Sequence, residues 1–437
     1  MDLSIIIPVG PNDTNFSLLS DLKIKFKNSE VIVVSSDQNK EIYNYQKKID
    51  QLITINNSTR AKAQNVGADK SNYKKLWFLH LDSDLSNISI EDLENIQLVK
   101  INTFKLRFNN NKFNLNSFGA NLRTYLFGLP FGDQSFIIEK KLFNLIGGFA
   151  ENLEQGEDHE FIWRSKRIGI KINLINKYII TSGDKYENHQ ISQTFLTFKN
   201  TILQIMRFRK SRVSCVICHF TKNPSSKDSK KRLRKNLPDD FVNEINENLI
   251  EILKDNINEI KKDTHIHQII VSEKNHKDYF LKFSKNTNGL YLTSQSELGK
   301  SMKEVIEFNF MYFKKVVLVG SDIPLLLAKD ILKATKINSS KNIFYPTVDG
   351  GFCLLATTDK NISNIIDTVK YGTNTALSDL TKKTSEQLIH NKFYQDIDVK
   401  EDLIQIFNFL KKNNTNLNTN QKRLLVLLHS NHKKIIK

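Results

Sequence analysis

The stretch KLWFLHLDSD, residues 75–84, decides the fold of the first half of this chain. Its first seven residues are almost continuously apolar, which is typical of a strand covered on both faces of a parallel sheet. It ends in two carboxylates, Asp82 and Asp84, separated by a single serine. In open parallel sheets, ligands bind beyond the carboxyl ends of the strands. The stretch therefore predicts a buried strand that delivers an acidic pair to a ligand site.

Similar apolar runs occur upstream, at residues 4–9 and 30–34, and helical patterns separate the three runs. Thr59 and Ser58 are plausible caps for a helix over residues 60–70, which places Arg60 at a helix N-terminus. A second helical pattern opens at Gly156-Glu157-Asp158 and stops at Gly169. This alternation predicts a doubly wound α/β sheet.

The alternation starts again after residue 212, with apolar runs at 213–220, 267–271, 315–319 and 343–345. The run at 315–319 is followed by Gly-Ser-Asp322, which repeats the arrangement at Asp82. With 437 residues, the chain is also longer than one hydrophobic core usually serves. We predict one domain over 1–208, a second over 209–411, and a weakly specified polar tail over 412–437.

Composition limits the possible partners. The formal net charge of +17 is compatible with a nucleic acid, a membrane surface or an anionic substrate. The basic residues are spread along the whole chain, which favours compositional bias over a dedicated polyanion-binding face. We therefore expect no specific nucleic-acid partner. A helical pattern over 191–212 is strongly amphipathic and is compatible with peripheral membrane contact or with core packing.

The three cysteines are too few for a disulfide framework and fit a reducing compartment. Cys215 and Cys218 have redox-type spacing, but they lie in an apolar strand pattern with no second ligand pair, so buried thiols are expected. No leader-like segment precedes the first strand and no apolar run is long enough to span a bilayer. These features predict a cytoplasmic protein.

Each candidate residue has a structural alternative. Asp82 and Asp84 could hold a hard divalent cation that binds a diphosphate, although Asp-x-Asp also occurs freely in surface turns. Arg60 could meet phosphate at its helix N-terminus or be an ordinary surface residue. Glu157 and Asp158 could include a general base or simply stabilise the first turn of their helix. Spacing alone leaves these alternatives open.

Five ordered motifs in the first half resemble those of family 2 glycosyltransferases, and in particular the radical-SAM/selenodomain-associated transferase type 2 group. They are SIIIPV (4–9), RAKAQNVGA (60–68), FLHLDSD (78–84), FGDQ (131–134) and GGF (147–149) followed by Glu157-Asp158. The resemblance spans residues 1 to about 205. It implies a GT-A fold and an inverting transfer of sugar from a nucleotide-diphosphate donor to a small-molecule or lipid-linked hydroxyl acceptor.

The same resemblance implies roles for individual residues. Asp82 and Asp84 would hold Mg²⁺ or Mn²⁺, and Asp158 would be the catalytic base. Donor-side residues would be Arg60, Gln64, Asn65 and Asp37, and acceptor-side residues would be Asp133 and Glu157. The family often carries an aspartate after the second strand to hold the base, whereas this chain has Val34-Ser35-Ser36-Asp37, so Asp37 would serve from a displaced position and the identity of the base stays open.

Residues 213–405 resemble the radical-SAM/selenodomain-associated transferase type 1 family, which is similar to nucleotidyltransferases of GT-A-like fold. The motifs are KRL (231–233), QSELG (295–299), GSDIP (320–324), DGGF (349–352) and DID (396–398). The resemblance implies a nucleotide site at Lys231 and Arg232 and metal-binding carboxylates at Asp322 and Asp398. The loop at 223–227 lacks the expected glycine.

Two GT-A-like doubly wound α/β domains in tandem are therefore the expected fold, and a glycosyltransferase centred on the first domain is the expected function. Two alternatives stay open: a nucleotidyltransferase centred on the second domain, and a non-catalytic basic protein that binds nucleic acid or membrane.

Overall fold

The computed structural model describes residues 2–109, 114–153, 155–182, 212–283, 286–337, 341–384 and 386–436, together with Lys199, Ile202 and Met206. The chain forms two compact units, Met1–Arg212 and Val213–Lys437. The predicted boundary at residue 208 lies a few residues before this division. The predicted helix over 191–212 lies outside the described residues except at a few isolated positions.

The first unit is built on a seven-stranded sheet in the order β3-β2-β1-β4-β6-β5-β7. Strand β6 runs antiparallel to both of its neighbours, and the other pairs are parallel. The sheet is thus mixed rather than purely parallel. Its strands are β1 (Leu3–Val9), β2 (Ser29–Ser36), β3 (Gln51–Ile55), β4 (Lys75–Phe78), β5 (Ile101–Phe108), β6 (Phe136–Glu139) and β7 (Ile172–Thr181).

Helices cover both faces of this sheet, which explains why its central strands are continuously apolar. Ile5 and Ile7 belong to one large cluster with Trp77, whereas Ile32 and Val34 pack with Ala63 in another cluster. The helices are Ser17–Lys25, Arg60–Lys70, Glu91–Glu94, Asn114–Phe127, Lys140–Ile146 and Glu157–Arg167, with 3₁₀ segments at Glu41–Lys48 and Gly132–Gln134.

Two local predictions in this unit are confirmed. Helix Arg60–Lys70 begins after Thr59, whose Oγ1 accepts a hydrogen bond of 3.2 Å from the N–H of Lys62. Helix Glu157–Arg167 follows Gly156, which adopts a left-handed conformation with φ of 83°. Both helix N-termini carry residues that the sequence assigns to a site.

The second unit contains a seven-stranded sheet in the order β10-β9-β8-β11-β13-β12-β14. Strand β13 is antiparallel to β11 and β12, as β6 is to its neighbours. The strands are β8 (Cys215–Phe220), β9 (Ile266–Glu273), β10 (Gly289–Thr293), β11 (Lys315–Gly320), β12 (Asn342–Pro346), β13 (Phe352–Thr357) and β14 (Gln387–Ile389).

The two sheets therefore have the same strand order, with β4 of the first in the position of β11 of the second. This correspondence places Asp82, Asp84 and Asp322 after equivalent strands. The predicted fold class, two doubly wound α/β domains in tandem, is confirmed.

Helices also flank the second sheet. They are Lys231–Arg234, Asp239–Ile260, Lys277–Phe283, Leu298–Asn309, Ala328–Lys336, Ser363–Ile366, Ala376–Lys383, Lys400–Lys412, Thr419–Ser430 and His432–Ile436, with 3₁₀ segments at Lys274–His276, Lys360–Ile362 and Asn414–Asn416.

The prediction of a weakly specified tail over 412–437 is wrong. Helix Thr419–Ser430 begins at Asn418, which caps it through the N–H of Gln421, and it buries Leu424 and Leu428 completely. Both leucines belong to an apolar cluster with Phe241 and Phe407. The prediction failed because the segment is polar on average, and the average hides two leucines that share one helical face.

Candidate functional site

The acidic pair of the first unit lies at the carboxyl edge of its sheet. After β4, the N–H of Leu79 still bonds to β1, and the chain then turns so that Asp82 and Asp84 are exposed. The N–H and C=O of Asp84 bond to Ile180 of β7 at 2.7 and 3.1 Å. Oγ1 of Thr181 donates to Oδ2 of Asp82 at 2.8 Å. Strand β7 therefore orients both acidic residues.

These carboxylates fit a hard cation that shares its coordination sphere with a substrate. Among the described residues, neither Asp82 Oδ1 nor Asp84 Oδ2 has a protein partner, so each offers a free oxygen. In that part of the chain there is no group of three or more His, Cys, Asp or Glu side chains arranged to hold a metal. Mg²⁺ is often bound by one or two carboxylates plus substrate phosphates, so a pair suffices.

A short turn, Gly132–Gln134, lies at the same edge of the sheet. It precedes β6, and because β6 is antiparallel to β4, the start of β6 adjoins the end of β4. Oδ1 of Asp133 lies 3.0 Å from Nδ1 of His80. Gln134 is completely buried and bonds to Phe104 and Thr124 at 3.0 and 2.9 Å. The turn is thereby fixed next to the chain that carries the acidic pair.

Asp158 joins this cluster from helix Glu157–Arg167. Its Oδ2 accepts a hydrogen bond of 2.6 Å from the N–H of Gly132, and its Oδ1 accepts one of 2.8 Å from the N–H of His159. A Cβ on Gly132 would lie 3.1 Å from both Asp158 Oδ2 and His80 Nε2. The structure thus brings Asp158, Asp133 and His80 around one glycine. His80 was not among the predicted site residues.

Arg60 and Glu157 also meet, although the sequence assigns them to opposite sides of the site. Nε of Arg60 lies 3.4 Å from Oε1 of Glu157, and the Glu157 side chain is only 6% exposed. That oxygen has no hydrogen-bond partner among the described residues, and neither has the buried Oε1 of Gln64. Each of the two helices therefore carries a buried acceptor atom without a hydrogen bond, and the one on Glu157 is ion-paired with Arg60.

Asn65 has structural partners. Its Nδ2 donates to the carbonyl of Phe149 at 2.9 Å, and its Oδ1 accepts from the N–H of Phe149 at 2.9 Å. This pair of bonds fixes the Gly-Gly-Phe loop, and a Cβ on Gly148 would lie 2.7 Å from Asn65 Oδ1. Asp37 follows β2, and its N–H bonds to Ile55 at the end of β3. Donor contact by either residue stays a prediction.

The second unit has a cavity of about 580 Å³ at the carboxyl edge of its sheet. Its wall carries both cations and carboxylates: Lys222, Lys230, Lys231, Arg232, Asp228, Glu273, Asp322, Asp349, Asp396 and Asp398. Lys230 is nearly buried, and its Nζ lies 2.9 Å from Oδ2 of Asp322. Lys231, which the sequence favoured, is 66% exposed and pairs with Asp228 at 2.7 Å.

Lys230 occupies the backbone conformation that a glycine would ordinarily take. Its φ is 52°, in the left-handed region that few residues with a side chain adopt. The loop at 223–227, which precedes it, contains no glycine. The strained residue is thus also the one whose ammonium points at Asp322.

Asp396 lies in the electrostatic environment of Asp322 and Asp349. Burial, reinforced by the carboxylates of Asp322 and Asp349 and opposed by Lys230, raises the pKa of Asp396 to about 7. Its buried Oδ1 has no hydrogen-bond partner among the described residues. Asp398 instead pairs with Arg232 at 2.7 Å and is 37% exposed. Metal contact by Asp322 or Asp398 stays a prediction, and Asp396 is a further carboxylate in the same cavity.

The thiols are structural. Cys215 and Cys218 lie in β8 and are buried, as the strand pattern predicts. Burial raises the pKa of Cys215 to about 12, so this thiol stays protonated and unreactive near neutral pH. No described helix is long and apolar enough to cross a bilayer.

Residues 256–373 match the sequence family described as "Uncharacterized protein conserved in bacteria (DUF2064)". No curated protein sequence matches the chain.

The solved structures similar to this chain include the following three. A candidate nucleotide-diphospho-sugar transferase from Desulfovibrio desulfuricans G20 is 21% identical with a TM-score of 0.44, covering 51% of this chain and 96% of its own. The mannosyltransferase PcManGT from Pyrobaculum calidifontis, in complex with GDP-Man and Mn²⁺, is 13% identical with a TM-score of 0.34, covering 46% and 64%. The 4-diphosphocytidyl-2C-methyl-D-erythritol synthase from Anaerococcus prevotii DSM 20548 is 13% identical with a TM-score of 0.32, covering 45% and 98%. These similarities do not transfer a reaction to this chain.

Proposed function

We propose that the first unit transfers a sugar from a nucleotide-diphosphate donor to a hydroxyl acceptor, with inversion and with Asp158 as the general base. One observation carries the proposal: Asp158 is bonded to Gly132, and the adjacent Asp133 contacts His80, two residues before Asp82. A base and an acidic pair are thereby fixed at one edge of one sheet. A single in-line displacement needs a base on one side of the sugar and charge neutralisation on the other.

The chain's own groups have distinct tasks in this proposal. The N–H of Gly132 holds Oδ2 of Asp158 at 2.6 Å, so the carboxylate is oriented before the acceptor binds. Asp158 takes the acceptor proton as the oxygen attacks the anomeric carbon. Mg²⁺ or Mn²⁺ held by Asp82 and Asp84 would neutralise the charge on the departing diphosphate. The buried Oε1 of Gln64, which has no hydrogen-bond partner among the described residues, is suited to a hydroxyl group of a substrate.

The test uses the full chain with Mn²⁺ and a panel of UDP-, GDP- and TDP-sugars, and it follows release of the nucleoside diphosphate. Asp158→Asn should reduce turnover by roughly 10²- to 10⁴-fold. Donor binding, measured by thermal shift, should stay within about two-fold of the wild type. Glu160→Gln is the matched control, because Glu160 lies on the same helix and pairs with Arg164 instead of Gly132.

Full turnover by Asp158→Asn would remove this residue from the role of base. Asp84→Asn should instead abolish the metal-dependent part of donor binding. If no nucleotide sugar is consumed or bound, the assignment to glycosyl transfer fails as a whole.

A specific observation favours a second activity, binding of a nucleotide by the second unit. Its cavity combines the nearly buried Lys230 with Asp322 and Asp396, which fits a triphosphate and its cation. Incubation with nucleoside triphosphates and Mn²⁺ distinguishes this activity from the first. Consumption of triphosphate that survives Asp158→Asn would locate a nucleotidyltransferase in the second unit.

A further inference from the structure

Arg234 is a nearly buried arginine that lies two positions after Arg232, a residue of the cavity wall in the second unit. Its side chain is 9% exposed. The guanidinium is anchored to helix Asp239–Ile260, because Nη1 donates to Oδ1 of Asp239 at 2.8 Å and Nη2 donates to Oδ1 of Asn243 at 2.7 Å. A planar guanidinium that is held in this way presents its other N–H groups in a fixed direction.

The same guanidinium holds the loop over residues 223–229. Its acceptors there are backbone carbonyl oxygens: Ser229 at 2.8 Å from Nε, and Ser226 and Pro224 at 3.2 and 3.3 Å from Nη2. Nδ2 of the buried Asn246 also donates to the carbonyl of Pro224, at 3.1 Å, and to Oγ of Ser229, at 3.2 Å. Since this loop contains no glycine, side-chain donors fix its shape.

Arg234 fixes the peptide groups on both sides of Lys230. The bond from Nε to the carbonyl of Ser229 orients the peptide group before Lys230. The backbone N–H of Arg234 donates to the carbonyl of Lys230 at 3.1 Å, which orients the peptide group after it. Lys230 has φ of 52° and ψ of 46°, a conformation that a residue with a side chain keeps only where its surroundings hold it. Arg234 supplies contacts that hold it.

The backbone conformation of Lys230 decides where its ammonium group lies. Nζ of Lys230 is 2.9 Å from Oδ2 of Asp322, the side chain is 10% exposed, and both residues line the cavity. Lys231, the next residue, is 66% exposed and pairs with Asp228 instead. A rotation of the peptide group between Ser229 and Lys230 would turn the Lys230 side chain away from Asp322. The ammonium therefore stays in the cavity only while this peptide group is held.

We propose that Arg234 is a positioning residue of the second unit, which holds Lys230 in the left-handed conformation that places its ammonium in the cavity for the phosphates of a nucleotide. Arg234 thereby compensates for the missing glycine, which would adopt such a conformation without added contacts. The phosphate part of this proposal rests on the nucleotide binding proposed above for the second unit. The placement of Lys230 does not rest on it.

Acetylation of the full chain with a limiting amount of acetic anhydride tests the placement without any nucleotide. Mass spectrometry follows the rates at which individual lysines are modified. In the wild type, Lys230 should react about ten-fold more slowly than the exposed Lys231, because the reagent reaches a nearly buried amine only after local opening. Arg234→Gln should raise the rate at Lys230 about ten-fold and leave the rate at Lys231 unchanged.

Lys315 is the internal control for folding. It is 7% exposed, and its Nζ donates to the carbonyl of Thr335 at 2.9 Å, away from Arg234 in the chain. Its slow acetylation should be the same in the wild type and in Arg234→Gln. Loss of the whole fold would expose Lys315 and Lys230 together, whereas loss of positioning exposes Lys230 alone.

Two further variants separate geometry from charge. Arg234→Lys keeps the positive charge near Asp239 but removes the planar set of N–H groups, so it should expose Lys230 as Arg234→Gln does. Lys235→Gln is the matched control, because Lys235 is an exposed cation at the next position. It should leave Lys230 as protected as in the wild type.

Calorimetric titration with ATP, GTP, CTP and UTP, each with Mg²⁺, tests the phosphate part. Arg234→Gln should raise the Kd of a triphosphate that the wild type binds about ten-fold, and Lys235→Gln should raise it less than about two-fold. Added to Lys230→Met, Arg234→Gln should have no further effect, because Arg234 acts through Lys230.

The proposal is overturned if Lys230 stays as protected in both Arg234 variants as in the wild type. It is also overturned if Lys315 becomes reactive together with Lys230, or if the effects of Arg234→Gln and Lys230→Met on the Kd add. A wild type that binds none of the four triphosphates refutes the nucleotide binding proposed for the second unit. The acetylation rates then still decide whether Arg234 places Lys230.

Discussion

The N–H of Gly132 donates a hydrogen bond of 2.6 Å to Oδ2 of Asp158, across a separation of 26 residues. Because glycine has no side chain, the carboxylate of Asp158 and the ring of His80 can both approach this position. A Cβ here would lie 3.1 Å from each of them. The glycine is therefore part of the arrangement that places Asp158.

Gly132→Ala should reduce sugar transfer more than it reduces stability. The added methyl group displaces Asp158 or His80 by a few tenths of an ångström, and misplacement of a base lowers kcat steeply. We expect a decrease in kcat of about ten-fold or more, with a small change in Tm. Gly119→Ala, at an open helical position, is the control; it should retain activity and gain about 0.5–1 kcal/mol of stability. Equal activity of the two variants would contradict the role given to Gly132.

Asp396 should make the second unit's stability depend on pH. Its pKa is raised from 3.8 to about 7 by burial and by Asp322 and Asp349. The folded state therefore holds a proton between about pH 4 and 7 that the unfolded state has lost, so stability should fall as pH rises through this window. With chelator present, the loss should be on the order of 1–2 kcal/mol after allowance for solvent screening.

Urea unfolding of wild type and Asp396→Asn at pH 5 and pH 7.5 measures this effect. The asparagine variant should have a flatter profile. Asp398→Asn is the matched control two positions away, because it leaves the carboxyl group of Asp396 and its neighbours Asp322 and Asp349 in place. Mn²⁺ added at pH 7.5 should stabilise the wild type and not Asp396→Asn. A pH profile unaffected by Asp396→Asn would show that this carboxyl group does not titrate as described.

Much of the fold could be predicted from the sequence because each buried strand is a short, continuous run of apolar residues. The apolar runs at 4–9, 30–34 and 75–81 correspond to β1, β2 and β4, whose neighbours on both faces are apolar. Strand β3 was not predicted, since Gln51–Ile55 is only partly buried and has no continuous apolar run. The start of a helix with a capping residue could also be predicted, as for helix Arg60–Lys70 after Thr59.

The candidate sites were less predictable, since they depend on distant contacts. The pairing of His80 with Asp133 joins residues 53 positions apart, and no local pattern signals it. Asp396 and Asp398 lie on either side of the buried Ile397. Their spacing in the sequence therefore does not distinguish their surroundings. Only the packing around them makes one a partly buried carboxyl group with a raised pKa and the other an ion-pair partner of Arg232.

Lys230 and Lys231 should differ in nucleotide binding although they are adjacent. Lys230 is 10% exposed and contacts Asp322, whereas Lys231 is 66% exposed and contacts Asp228. A charged hydrogen bond from a desolvated ammonium is worth more than one in open solvent. Lys230→Met should raise the Kd for a nucleoside triphosphate about ten-fold, and Lys231→Met less than about two-fold. Calorimetric titration with Mg²⁺ present measures both; equal effects would indicate diffuse electrostatic attraction instead of a site.

Helix Thr419–Ser430 should contribute to the stability of the second unit. Leu424 is completely buried in the cluster that includes Phe241 and Phe407, whereas Val426, two residues later, is 66% exposed. Leu424→Ala removes buried methyl groups and leaves a cavity, so it should cost about 2–5 kcal/mol. Val426→Ala should change the free energy of unfolding by less than about 0.5 kcal/mol. Denaturant unfolding of both variants provides the comparison, and a Leu424→Ala variant as stable as the wild type would restore the interpretation of 412–437 as a tail.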